Sequence, residues 1–84
     1  MNLTNGNIIT LNDNKKYLII DSLIIDEDKY LFTNELKNND LTEKYYILKV
    51  LDTELKLITD ENLINNLLPK FREKLNKTIN EHLY

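Results

Sequence analysis

Between Ile8 and Ile58 the apolar residues come in runs of four or fewer, broken by clusters of Asn, Asp and Glu. From Asp60 to Leu83 they recur instead at three- and four-residue spacing. A period near two marks strands and a period near 3.6 marks a helix, so the chain reads as strands followed by one helix. The strands are expected at about residues 8–11, 16–25, 29–33, 44–50 and 54–58, and the helix at about 60–83. Asn5-Gly6, Asn12 to Lys15, Asp26-Glu27-Asp28 and Asp52-Thr53 have turn composition. The polar stretch Asn34 to Glu43 (NELKNNDLTE) reads as a long, irregular, mobile link. The second strand (KYLIIDSLII) is apolar on both faces. It is therefore either central in its sheet or bulged near Asp21-Ser22, which would switch its facing.

Thr59 or Asp60 can cap the helix, and Asp60-Glu61 place negative charge at its positive end. Ile64, Leu67, Leu68, Phe71, Leu75, Ile79 and Leu83 fall on one half of the helical wheel. Pro69 lies on the opposite, polar half. It removes one backbone hydrogen bond and clashes with the carbonyl of Asn65, so it predicts a kink. A fresh helix starting at Pro69 is the rival, but Leu68 is a poor cap and Lys70 would face the wrong end of the dipole. The expected fold is α+β. It is a single domain over residues 1–84, an antiparallel meander of four or five strands packed against a long, Pro-kinked C-terminal helix.

Length and composition narrow the function more than they define it. A chain of 84 residues buries roughly 60% of its unfolded surface, so its core is thin. The absence of Cys removes disulfides, thiolate metal sites and thiol nucleophiles together. No secretory signal and no run long enough to span a membrane is visible, so a cytoplasmic, non-membrane protein is expected. The net charge of −3, with signs interspersed, argues against a nucleic-acid partner. The abundance of Asn and Lys beside a complete lack of Ala has the stamp of an AT-rich genome.

No motif proposes an enzyme. Asp26-Glu27-Asp28 lacks the Gly and the spacing of a calcium loop. His82 is the only His, and a catalytic zinc normally takes two or three. Ser22, the only Ser, lies in a strand without a glycine elbow. The single Gly excludes Gly-rich phosphate loops. No catalytic residue, cofactor, metal ligand or small-molecule substrate is therefore expected. Tyr17, Tyr30, Phe32, Tyr45 and Tyr46 could stack bases on a sheet, which makes a small single-stranded nucleic-acid-binding domain the alternative function. They lie among aliphatics and acids, with no basic groove in view, so core and cross-strand packing is the better account.

The helix length discriminates further. From Asp60 to Leu83 it would run roughly 36 Å, against a five-stranded sheet about 24 Å wide with strands of about 17–20 Å. Its last turns should overhang, presenting Leu75, Ile79, His82, Leu83 and Tyr84 as a partner-binding stripe. The expected function is a non-enzymatic protein-interaction module that contacts a protein partner or a second copy through this end. A phage or mobile-element assembly factor, or an inhibitor of a host system, would fit. The order of signals from Ile8-Ile9-Thr10-Leu11-Asn12-Asp13, through Asp28-Lys29-Tyr30-Leu31 and Tyr46-Ile47-Leu48, to Leu55–Glu61 and Leu67-Leu68-Pro69-Lys70-Phe71 resembles the YrzB-like small proteins of low-GC bacteria and their phages. That resemblance implies a meander plus helix and no known activity. It carries over no functional residues, and this chain lacks the strongly acidic tail of such proteins.

Overall fold

The computed structural model describes residues 3–83, with side chains described through Lys77. The elements are β1 (Ile8–Thr10), β2 (Lys16–Ile25), β3 (Asp28–Lys37), β4 (Asp40–Val50), β5 (Leu55–Leu57) and α1 (Glu61–Leu83). The strands form one antiparallel sheet in the order β1-β2-β3-β4-β5, so the architecture is α+β, a meander followed by a helix. Short turns between sequential strands leave no freedom for any other order.

The sheet is apolar on both sides, and one residue makes this workable. Tyr17 and Ile19 of β2 belong to one core cluster with Ile9, Leu31 and Leu48. Leu23 and Ile25, which have the same parity along the strand, pack instead with Tyr30, Ile47, Leu67 and Phe71 on the other side. The pairing of β2 with β3 shifts register between Ile19 and Asp21, so Ile20 is an extra residue and every later side chain changes face. The bulge foreseen near Asp21-Ser22 thus sits one residue earlier. β3 and β4 alternate without interruption here, sending Leu31 and Leu48 to the first cluster and Tyr30 and Ile47 to the second. Leu55 and Leu57 pack in the same cluster as Ile9, although β5 and β1 are opposite edges of the sheet. Four strand spacings of about 4.8 Å would separate them in a flat sheet, so the sheet must curl around this cluster.

The stretch expected to be an irregular link is a regular hairpin. Asn34–Lys37 complete β3, Asp40–Glu43 begin β4, and only Asn38-Asn39 lie between. Both asparagines have positive φ, 54° and 66°, the conformation of a two-residue turn that matches strand twist and that Asn tolerates well. A second register shift lies between Asn34 and Leu36. The buried Asn34 side chain fills it: Nδ2 donates to the carbonyls of Thr42 (2.7 Å) and Lys44 (3.2 Å), and Oδ1 accepts from Thr42 N (3.3 Å). An amide side chain takes the role of missing ladder bonds, and a polar composition then reads as a loop when it is strand. The β2–β3 turn is built alike from Asp26 (φ 50°) and Glu27 (φ 73°).

Asp60 is the cap of α1, its Oδ1 accepting from Asn62 N (2.9 Å) and Leu63 N (3.4 Å). The helix passes through Pro69 as one element rather than two. Ile58, held to β4 by its N–H on the Ile47 carbonyl (2.9 Å), is buried with Leu67 and Phe71. Phe32 of β3 stacks on Phe71 at 5.5 Å.

Next to the bulge, the buried carboxylate of Asp21 ties three segments together. Its Oδ1 accepts from Ser22 N (2.8 Å) and from Asn5 Nδ2 (3.3 Å), and lies 3.3 Å from Lys74 Nζ of α1. The same ammonium donates to the Ser22 carbonyl. Gly6, at φ 91°, brings the N-terminal segment in and donates to the Ile19 carbonyl at 2.7 Å.

Asp21→Asn removes the charge beneath these donors and should cost about 2 kcal/mol in chemical denaturation. Lys74→Met should cost about half as much, because the lysine side chain is 44% exposed and water screens its half of the pair. If the two losses add fully in the double variant, Asp21 and Lys74 are not coupled. Glu27 is a poor residue for positive φ, so Glu27→Gly should raise stability by about 1 kcal/mol, read as a higher denaturation midpoint at unchanged slope.

Candidate functional site

The extended β3–β4 hairpin places its tip beside the β1–β2 turn, and a groove of about 540 Å³ lies between them. Four lysines line it: Lys15 and Lys16 from the first turn and the start of β2, Lys37 from the end of β3, and Lys44 from β4. Asn14, Asn38 and Asn39, all at positive φ, form the two turn edges. Glu35 is the only acid in the lining, and its nearly buried carboxylate lies 3.4 Å from Lys15 Nζ. The groove therefore carries a charge of +3, while the remaining seven bases and thirteen acids leave the rest of the chain at −6. Interspersed signs along the sequence become segregated signs in space.

Beneath the groove the first turn is locked by Asp13. Its Oδ1 accepts from Lys15 N (2.8 Å) and its Oδ2 from the Tyr17 hydroxyl (3.1 Å). Tyr17 is buried edge-on to Tyr46, with ring centres 5.7 Å apart. Burial, then the hydrogen bond to the Asp13 carboxylate, then the negative charge of Asp13 and Glu35 push the phenol well above its ordinary pKa of 10.0. The hydroxyl is thus a fixed neutral donor, and Lys15 and Lys16 are presented from a rigid base.

The lysine cluster was not legible in the sequence, where no basic groove was foreseen. Lys15 and Lys16 are adjacent, but Lys37 and Lys44 fall in and beside the stretch read as an irregular link. The available signal was Asn38-Asn39 between two short alternating segments, which specifies a hairpin and so fixes where its lysines go.

The residues expected to bind a partner are placed only in part. Leu75 is half-buried on α1. Ile79, His82 and Leu83 belong to the same helix, but their side chains lie outside the described residues, as does Tyr84 altogether. Asp26-Glu27-Asp28 serves as a turn, and Asp28 pairs with Lys49 at 3.5 Å. Among the described residues no group of three or more His, Cys, Asp or Glu could hold a metal ion, and no helix is long and apolar enough to cross a membrane. The strand aromatics are largely committed to packing. Tyr17 and Tyr30 are buried, and Phe32 lies between Tyr45 (5.5 Å, 6° between planes) and Phe71. Tyr45, stacked on Phe32, is the most exposed of them at 54%.

Comparison with protein-family models, curated proteins and solved structures returns no match to this chain. The YrzB-like resemblance therefore rests on the sequence pattern alone.

Because Tyr17 keeps its proton in the folded state to higher pH than in the unfolded chain, its contribution is complete below pH 10 and falls as the pH rises further. In alkaline denaturation the stability of the native chain should drop with a slope approaching about 1.4 kcal/mol per pH unit more than that of Tyr17→Phe. Parallel curves for the two proteins above pH 10 would contradict the assignment.

Proposed function

We propose that the chain is a non-enzymatic protein-interaction module. Its proximal helix is bent at Pro69 and packed on the sheet, and its distal helix is the contact surface for a protein partner or a second copy. One observation carries the reading. Among the described residues, Phe71 is the last α1 side chain in the core cluster, and Lys74 pairs with Asp21 of the sheet one turn later, yet the helix continues to Leu83. Twelve residues beyond Phe71 correspond to about 18 Å of helix. Leu75 follows the core stripe in sequence without joining the core cluster, and Ile79 and Leu83 continue its spacing. A stripe that goes on past its own sheet needs another apolar surface. An assembly factor or an inhibitor of a host system, carried by a phage or mobile element, is the kind of role such a module would serve.

Second-copy docking is tested directly by light scattering on the full chain and on a truncation ending at Lys77, which keeps the Asp21–Lys74 pair. The full chain is expected near twice its 10.0 kDa mass and the truncation near its own monomer mass. Leu75→Asp with Ile79→Asp should behave as the truncation does. Monomers throughout would leave only a heterologous partner, and a pull-down in which the truncation retains every partner of the full chain would remove that as well.

A further inference from the structure

The lysine groove is built from residues 14–44, and no described residue of α1 lines it. We infer that it binds a single strand of nucleic acid through the backbone phosphates, without reading the bases.

Charge supplies the first argument. Glu35, the groove's own carboxylate, is taken by Lys15, and Asp13 is occupied by the Tyr17 hydroxyl and a backbone N–H. Asp40 is opposite Lys37 in the strand register, yet it makes no ion pair with it. Among the described residues Lys16, Lys37 and Lys44 carry no ion pair at all. Three uncompensated ammonium groups around one concavity repel each other, and concave low-dielectric walls strengthen the field they project. A ligand with several negative charges relieves that repulsion.

The residue types select the ligand. Lysine is a point charge on a flexible stem, suited to successive phosphates, whereas a single phosphate or carboxylate is better held by the bidentate fork of arginine. The one arginine, Arg72, is on α1 and not in the groove. The lining contains no aromatic ring for a base to stack on, so the contact is with the backbone and carries no sequence preference. A volume of about 540 Å³ is larger than one phosphate requires. A flexible single strand can follow the concavity with successive phosphates, whereas a duplex is stiff over about 150 bp and holds its phosphates on a convex surface.

The test is fluorescence anisotropy with labelled oligothymidylate at low salt. Two variants have the same net charge: Lys16→Gln/Lys37→Gln/Lys44→Gln in the groove, and Lys56→Gln/Lys70→Gln/Lys77→Gln outside it. All six lysines are exposed, and Lys15 is kept because Glu35 needs it. Circular dichroism confirms that both variants fold. The native chain should bind with a dissociation constant in the range of about 10⁻⁴ to 10⁻⁶ M, and log affinity should fall against log salt with a slope of about −2, for three phosphate contacts. The groove variant should lose at least tenfold and flatten that slope, and the outside variant should lose less than twofold. Oligocytidylate should bind equally well. The truncation ending at Lys77 should bind like the full chain. No binding at about 10⁻⁴ M protein, or equal losses in the two variants, overturns the inference. So does displacement by inorganic triphosphate at equal phosphate concentration, which makes the groove a small-anion site, or duplex binding as tight as single-strand binding.

Discussion

The single extra residue in β2 decides which side of the sheet the second half of that strand serves. Without the register shift between Ile19 and Asp21, Leu23 and Ile25 would point to the side of Tyr17 and Ile19, and the cluster that receives Leu67 and Phe71 would lose two of its walls. A bulge leaves ladder groups without partners and bends the strand, so it persists only where other groups occupy it. Asp21 does this. Its carboxylate takes the Ser22 N–H and gathers Asn5 and Lys74 to the same point, so the bulge in β2 is also where the N-terminal segment and the helix are fastened. A buried carboxylate is costly unless fully engaged, which is why its three donors arrive from three different parts of the chain.

The second irregularity follows the same rule by other means. Asn34 is buried and neutral, and its amide both donates and accepts, so it can stand in for backbone where β4 carries extra residues. The result is a long hairpin whose tip reaches the β1–β2 turn. The lysine groove exists because of that reach. Its charge would be unremarked in a chain of net charge −3, since none of its lysines is more than a few residues from an acid in sequence. In space the acids of that region are turned to internal work, Glu35 on Lys15 and Asp13 on Tyr17, and the ammonium groups of Lys16, Lys37 and Lys44 are left facing the groove. The groove is lined by strand and turn residues alone, with no described residue of α1 among them.

Periodicity by itself determined the sequence of elements, the antiparallel meander and the single closing helix, because strand and helix periods are local properties that survive in any tertiary setting. It also determined the start of that helix, since Asp60 caps through bonds to residues two and three positions on. It failed between Asn34 and Glu43. There, side-chain amides and hydroxyls replace the apolar alternation that normally identifies a strand, and a polar strand has no local signature distinct from a loop. The position of the bulge, the curl that brings Leu55 and Leu57 to the cluster of Ile9, and the gathering of four lysines were decided only by the tertiary structure. Each depends on which residues face one another across strands. Moving that register by one residue reverses every side chain, and no window of sequence shorter than the whole sheet contains the information.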